Sequence, residues 1–551
     1  MNITNGINNI INIYKESNYE VVRYNFNYNN HKVSLFYSSL HGLDTQIHIK
    51  FYIDKNHLKF LDNRMNINNN AAQLKKDILV RITTLFIEDR LLEDIDKMPI
   101  EIIPRDSKSI RCCIHHDREI IKNRILARLG ISVEGKEDSG IPLSQYAKLA
   151  LEREKPTWPM LTVLDEACNA CVKANFMVTN ACQACLARPC MVNCPKNAID
   201  ILDEKRAFIH SEKCINCGLC LKNCPYHAII YIPVPCEESC PVGAINKNEF
   251  GKEVIDYHKC IFCGNCMREC PFSAMMDKGQ LLDVLKHLKD DNKKVNVMYA
   301  PSIASQFNAK PGQLKSALLK IGFGKVWEVA LGADITSDKE AHEFEDRMER
   351  GDKLMTTSCC PAYVKAVRRH VPELIPCVSE TRTPMHYTAE MMRKDDSEAI
   401  NVFIGPCLAK RRESIDDDLV DYCLSMEELD ALFIATGTDV MKEPDLNIDV
   451  IPTSSGRKYA MSGGVAEAVK IRLKHPEKVK PTVIDGLDKE GMKQLKNFGK
   501  IQSGELPVQD GTPNLVEVMA CKGGCVGGPC VVKNPKVATV QLQKYATDGI
   551  K

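Results

Sequence analysis

Cys214-x2-Cys217-x2-Cys220-x3-Cys224-Pro225 and Cys260-x2-Cys263-x2-Cys266-x3-Cys270-Pro271 are the residues of this chain best placed to do chemistry. Three thiolates at that spacing wrap one [4Fe–4S] cube, and the fourth reaches a neighbouring cube. A third block, Cys182-x2-Cys185-x4-Cys190-x3-Cys194-Pro195, is a stretched version. Two half-blocks, Cys168-x2-Cys171 and Cys236-x3-Cys240-Pro241, complete the set. Sixteen of the 26 cysteines lie between Cys168 and Cys270. Cysteines so close pair poorly as disulfides, because the bridge needs a particular Cα separation and direction. The chain is also long, and its start, MNITNGINNIINIYKE, has no basic n-region and no compact apolar h-region, so a secreted disulfide scaffold is not expected. The thiols read as iron ligands. Sixteen thiols at four per cube make four cubes, an array suited to moving single electrons between a buried site and a surface partner.

By analogy with ferredoxin topology, Cys182, Cys185 and Cys190 share a cube with Cys224, and Cys214, Cys217 and Cys220 share one with Cys194. The other pair is Cys260, Cys263 and Cys266 with Cys240, and Cys168, Cys171 and Cys236 with Cys270. Of the ten remaining cysteines, Cys112, Cys113, Cys377 and Cys423 stand apart from any ligand pattern. Cys112-Cys113 precedes His115-His116, which suggests a metal site, but adjacent side chains diverge and ordinary packing is favoured.

The rest occupy Thr357-Ser358-Cys359-Cys360-Pro361, Gly405-Pro406-Cys407-Leu408-Ala409-Lys410-Arg411-Arg412-Glu413, and Glu517-Val518-Met519-Ala520-Cys521-Lys522-Gly523-Gly524-Cys525 with Cys530 beyond. Each follows an apolar run: Leu354–Thr357, Val402–Ile404 and Val516–Met519. A fourth run, Val295–Tyr299, leads into Ala300-Pro301-Ser302. Strand, loop, helix units of this kind imply parallel sheets with functional groups at the carboxyl ends of the strands. Pro361 suits a first helical position.

In these three signatures, TSCCP, PCxxKxxE and ExMACxGGC in this order, the chain resembles [FeFe]-hydrogenases over roughly residues 161–551. The resemblance implies an H-cluster, a [4Fe–4S] cube joined to a two-iron unit bearing CO, cyanide and a bridging azadithiolate. Cys360, Cys407, Cys521 and Cys525 are expected to hold the cube, with Cys525 bridging to the two irons. The resemblance also places Ala300, Pro301, Ser302, Pro406, Lys410 and Met519 around the cofactor. Lys410 is suited to hold a cyanide by a charge-assisted hydrogen bond. Gly523-Gly524 lets the backbone approach a cluster, and Met519 packs beside the two irons or simply fills core. The implied proton route runs from Cys359 through Glu340 and Ser379 to Glu343.

Several residues depart from the well-studied members. Gly405 stands where methionine is usual, Tyr363 and Val364 where a tryptophan is commoner, and Met385 where glutamine is usual, while Pro529-Cys530 interrupts the glycine-rich tail. These look like the group B subfamily. No plant-type [2Fe–2S] block and no Cys3His cluster motif is present.

The expected fold is α/β multidomain. It comprises a small N-terminal α/β domain of unknown role (1–105), a helical linker (106–160), a ferredoxin-like α+β region (161–290) and a two-lobed α/β H-cluster domain with parallel sheets (291–551). Within 1–105, alternation at Ile47, Ile49, Phe51 and Ile53 suggests a strand. Leu74, Ile78, Ile82 and Leu85 suggest a helix, and Ile121, Ile125 and Leu129 another that ends at Gly130. Seventy-three Lys+Arg against 72 Asp+Glu leave a charge of +1, which calls for neither nucleic acid nor a membrane surface. A cytoplasmic location is expected, with no Rossmann or P-loop fingerprint for a nucleotide. The expected activity is 2H⁺ + 2e⁻ ⇌ H2 with ferredoxin or a similar one-electron carrier, after cofactor insertion by maturation proteins. The alternatives are an H2-sensing regulator and a hydrogenase-like iron–sulfur protein without turnover.

Overall fold

The computed structural model describes residues 69–133, 140–171, 175–202, 205–547 and 549, and the backbone of the strands between residues 11 and 53. The chain divides into two compact units, Met1–Asn66 and Ile67–Lys551. The first contains a four-stranded antiparallel sheet in chain order, Ile11–Glu16, Tyr19–Tyr28, His31–Leu40 and Lys50–Ile53. Phe51 and Ile53 of the expected alternation fall on its last strand; Ile47 and Ile49 lie outside the described residues.

The division at 66/67 corrects the α/β domain expected over 1–105. The helix Asn70–Ile87 forms where its apolar spacing predicts, with Asn69 Oδ1 accepting from the Ala72 N–H at 2.8 Å as its cap. Its buried face belongs to the larger unit. Ile78, Leu79 and Ile82 share a core with Leu429, Leu432 and Phe433 of the helix Met426–Ala435, and Lys76 pairs with Asp430 at 2.5 Å. An amphipathic helix persists only where its apolar stripe is covered, and the cover comes from far along the chain. The expected linker at 106–160 is corrected for the same reason. Ile121, Ile125 and Leu126 of the helix Ile114–Arg128 are buried in that core, as are Leu143, Tyr146 and Ala147 of Leu143–Glu152. Gly130, at φ +78°, follows the first of these helices as expected.

Residues 161–277 form two modules of paired hairpins, one inserted in the other. The outer module pairs Leu161–Val163 with Met275–Asp277 and Ile245–Lys247 with Glu253–Ile255. The inner one pairs Asn175–Val178 with Ile229–Ile232 and Ile199–Ile201 with Ala207–Ile209. All four pairs are antiparallel. The insertion explains the two half-blocks: Cys168-x2-Cys171 and Cys236-x3-Cys240 are one run interrupted by the inner module.

The C-terminal region has two parallel sheets. One has the order Val326–Glu328, Val295–Tyr299, Ile400–Gly405, Tyr422–Ser425; the other Met355–Thr356, Leu515–Met519, Pro481–Asp485. All four expected apolar runs are strands in these sheets, and each delivers its motif at the carboxyl end. No helix among the described residues is long and apolar enough to cross a membrane.

A buried ionic cluster ties the three regions of the larger unit together. Asp277, at the end of the outer module, accepts from Arg128 Nη2 and Arg411 Nη1, each at 2.8 Å, and lies 3.5 Å from Lys75 Nζ. Arg411 also pairs with Glu428. Burial pushes the Asp277 carboxyl up, but Arg128, Lys75 and Arg411 together hold it well below the usual carboxylate range.

Candidate functional site

The carboxyl ends of strands from both sheets face one cavity of about 90 Å³. Its lining includes Cys360 after Met355–Thr356, Cys407 after Ile400–Gly405, and Cys521 and Cys525 after Leu515–Met519. Ala300, Pro301, Pro406, Lys410, Met519 and Cys359 line it as well. Ser302 does not reach the lining but sits next to Pro301, fully buried, with its hydroxyl unpartnered among the described residues. Nearly all the cavity wall is apolar.

The residues present fit a sulfur-ligated cluster. Burial, reinforced by neighbouring thiols, pushes Cys407 and Cys525 up to about 12 and Cys521 well above the usual thiol range; burial also raises Cys360. Four thiols crowded in an apolar cavity are costly as bare thiolates, a charge that bound iron would neutralise. The backbone is also cut to fit. Gly524 has φ +85°, and a Cβ there would stand 2.6 Å from the Ser462 nitrogen, so no side chain stands at this turn beside Cys525. The buried Ser302 hydroxyl is a free donor beside the same wall.

Lys410 is held by its own motif. Its Nζ donates to Glu413 Oε2 at 2.6 Å, three residues on, and Glu413 in turn accepts from Thr383. Burial pulls the Lys410 ammonium down, but the charge and hydrogen bond of Glu413, with the Cys407 and Cys359 sulfurs, together outweigh it and raise it above the ordinary lysine range. The last residue of PCxxKxxE therefore aligns the lysine.

The proton-route residues are brought together. Glu340 is fully buried on the helix Ala330–Glu349, and its Oε1 accepts from the Ser358 N–H at 3.0 Å and the Ser358 hydroxyl at 3.2 Å. Its Oε2 has no partner among the described residues. One turn away, Glu343 accepts from the Ser379 hydroxyl at 2.6 Å, from Thr381 at 2.9 Å and from Arg347. The two carboxyls are driven apart. Burial lifts Glu340 from 4.5 to about 7, while hydrogen bonds from Ser379, the Glu380 N–H, Thr381 and Arg347 overcome burial and hold Glu343 below the usual range. An inner acid near neutrality beside an outer anion suits outward proton transfer. Cys359, half-buried, lines the cavity near enough to Glu340 to feel its charge; desolvation first, then that charge, raise its thiol well above the usual range.

The shift of Glu340 has a consequence for stability. Between pH 4.5 and 7 the folded chain holds a proton that the unfolded chain has lost, so stability falls as pH rises through that window. Glu340→Gln is expected to flatten the profile by about 3 kcal/mol across it. Melting curves of both proteins over this range check it; parallel profiles would contradict the buried-acid reading.

Two lining residues, Tyr459 and Phe403, carry no motif signal. Tyr459 closes one side, its hydroxyl oxygen accepting from the Ser337 hydroxyl at 3.2 Å. Phe403 forms another wall, and Cys263 of the outer module reaches the same cavity. Glu517, the first residue of the third signature, accepts from the Gly463 and Ala466 N–H groups at 2.8 Å, fixing the loop against which Gly524 packs.

The departures at Gly405 and Met385 form one packing unit. A Cβ on Gly405 would stand 2.5 Å from the Phe403 ring, and Phe403 packs with Met385, Met298 and Ala300. Gly405→Met is expected to cost about 1–3 kcal/mol by overpacking, and adding Phe403→Ala to recover most of it. Melting temperatures of the single and double variants check this. Pro529 has a comparable reason: a Cβ on Gly264 (φ +79°) would meet its ring at 2.5 Å, so the tail docks on the turn after Cys263. Cys530 donates its N–H to the Pro406 carbonyl at 3.1 Å.

Eight of the accessory thiols surround two small cavities, four at each. Cys182, Cys185, Cys190 and Cys224 line one small cavity, and Cys194, Cys214, Cys217 and Cys220 another. In the outer module, Cys171 feels the charges of Cys168 and Cys270, and Cys236 those of Cys270 and Cys171. Cys263 and Cys266 both feel Cys260 and Cys240.

Residues 293–529 match the C-terminal domain of the iron-only hydrogenase large subunit. Residues 253–276 match a 4Fe–4S binding domain and 181–228 a 4Fe–4S dicluster domain. The large subunit of the periplasmic [Fe] hydrogenase of Nitratidesulfovibrio vulgaris is 28% identical over 301 residues, 45% of this chain and 70% of the relative. Iron hydrogenase 1 of Clostridium pasteurianum is 27% identical over 386 residues, 61% of this chain and 66% of the relative. The cytosolic Fe–S cluster assembly factor NAR1 of Kluyveromyces lactis is 22% identical over 279 residues, 38% of this chain and 59% of the relative. This chain is an [FeFe]-hydrogenase-like iron–sulfur protein, with an iron-only hydrogenase C-terminal domain and 4Fe–4S binding segments.

Proposed function

We propose that the protein interconverts protons, electrons and H2 at an H-cluster. The carrying observation is that Cys360, Cys407, Cys521, Cys525, Lys410 and Cys359 line one apolar cavity. Two hydrogen-bonded pairs, Glu340 with Ser358 and Ser379 with Glu343, continue from it and are joined through the backbone of Thr381. When bound, the cluster supplies the redox centre at which H2 is cleaved heterolytically or formed. The four thiols hold it, and Lys410, steadied by Glu413, provides a fixed cation on the cavity wall. Ala300, Pro301, Pro406 and Met519 exclude water, with the Ser302 hydroxyl beside them. Cys359 carries the proton between the cavity and Glu340; Ser379 and Glu343 carry it outward.

The sixteen thiols from Cys168 to Cys270 would hold four accessory [4Fe–4S] cubes in the crossed arrangement given above, which would supply one-electron carriers. Cys260, Cys263, Cys266 and Cys240 would hold the cube beside the H-cluster cavity, because Cys263 also lines that cavity. A ferredoxin or similar one-electron carrier is the external partner, and maturation proteins install the two-iron unit. In this reading the domains are a sheet unit at 1–66, an iron–sulfur region at 161–277 and an H-cluster domain from 291 onward.

A second reading, an assembly factor without turnover, is favoured by the NAR1-type relatives. The retained Cys359 and the assembled carboxylate pair speak for turnover. Oxygen-free protein matured with the family's maturation enzymes and given a reduced one-electron dye separates the two. The expected result is H2 evolution with about 22 irons per chain, four for each of four cubes and six at the H-cluster. A full iron complement in the accessory cubes with no H2 exchange would favour the assembly factor.

A further inference from the structure

Cys112 and Cys113 lie apart from every iron–sulfur ligand, and both thiols are exposed. The backbone is extended at Cys113 (φ −164°, ψ 165°), immediately before the helix Ile114–Arg128. There the two sulfurs stand 3.9 Å apart, with the Cys112 thiol donating to Cys113. Backbone N–H groups of His116 and His115 point at the Cys113 sulfur and hold that thiol below its ordinary range, while the contact with Cys113 raises Cys112. Cys112 Sγ also lies 3.3 Å from His116 Nδ1, and the far nitrogen of that ring lies 3.0 Å from Glu166 Oε2. Arg111 anchors the segment by donating to Asn169 Oδ1 at 2.5 Å and to the Ala167 carbonyl at 2.8 Å.

These atoms compose a nucleophilic sulfur, a second sulfur within reach and a base beside the second. We propose that Cys112 and Cys113 are a reversible oxidation site for low-molecular-weight disulfides. The Cys113 thiolate attacks one sulfur of the small disulfide, forming a mixed disulfide and releasing one thiolate. The Cys112 proton passes to His116 Nδ1, and the Cys112 sulfur attacks Cys113 Sγ. This closes the Cys112–Cys113 bond and releases the second small thiolate, which takes up the proton. Two protein thiols are oxidised and one small disulfide is reduced to two thiols. Adjacent Cα atoms are about 3.8 Å apart, below the roughly 4.4–6.8 Å usual for a disulfide, so the bond is strained and readily reduced. That lability is what a reversible site requires.

The test uses the full-length, cluster-loaded protein under anaerobic conditions with glutathione disulfide as the probe. Differential alkylation and peptide mass spectrometry then read the Cys112–Cys113 peptide. The expected result is loss of two hydrogens and of alkylation at both cysteines, restored by a dithiol reductant, with the iron–sulfur absorption unchanged. Cys112→Ser is expected to stop at a glutathione adduct on Cys113, Cys113→Ser to lose reaction at this peptide, and His116→Gln to form the adduct but close more slowly. The proposal is overturned if both thiols still alkylate freely after exposure, if Cys113→Ser leaves Cys112 equally oxidised, or if the bond appears only as the clusters bleach.

Discussion

Replacing Cys359 by Ala is expected to lower H2 evolution by about 100-fold or more, the usual worth of a positioned proton donor, while the CO and cyanide vibrations of the cofactor remain. Cys359 lines the cavity without being needed among the four thiols that hold iron, so its loss leaves the ligand set whole. It is the lining thiol beside Glu340, whose Oε2 has no partner among the described residues, whereas Oε1 is taken by Ser358. The free oxygen leaves Glu340 able to exchange a proton with the cavity side. Beyond it, Ser379 and Thr381 already hold Glu343. Dye-linked H2 evolution and infrared spectra of the same matured sample check the split. An unchanged rate removes Cys359 from the proton route, and loss of the vibrations makes it a structural residue.

Asp277→Asn is expected to destabilise the larger unit by about 3–5 kcal/mol, the cost of stranding buried charges by removing their partner. Asp277 and Arg128 are both fully buried, and two of the Arg128 side-chain nitrogens have no other partner among the described residues. Arg411 would keep Glu428 but lose its bond at 2.8 Å, and Lys75 would lose a charge 3.5 Å away. The substitution acts where three chain regions meet: the helices of 70–128, the end of the outer iron–sulfur module and the helix that carries Lys410. Anaerobic thermal unfolding reads the loss as a lowered melting temperature. A change within about 0.5 kcal/mol, typical of a surface site, would show that the cluster is hydrated and not a structural tie.

The strands that deliver the site were legible in the sequence because a strand of a covered parallel sheet must be apolar along its whole length. Val295–Tyr299 and Leu515–Met519 are such strands. The cysteine runs were legible because cluster ligation imposes short-range spacing that nothing else requires. What stayed hidden depends on contacts between distant segments. Nothing in 70–87 states that Ile78 and Ile82 will be covered by Leu429 and Phe433, so sequence alone groups the helix with the strands before it. The half-blocks at Cys168 and Cys236 did not reveal that one module is threaded through another. Phe403 and Tyr459 read as core aromatics, and only the close approach of Phe403 to Gly405 shows why a glycine stands there. Asp277 and Arg411, each unremarkable in sequence, acquire their importance only by meeting.

The central claim is that three loop segments from two sheets hold a diiron cofactor through sulfur. Infrared spectroscopy of oxygen-free protein matured with the family's maturation enzymes tests it most directly. The expected result is a set of CO and cyanide stretching bands that shift when H2 is admitted, and that are lost when Cys525 is replaced by Ala. Fully matured protein with intact accessory cubes and no such bands would contradict the account.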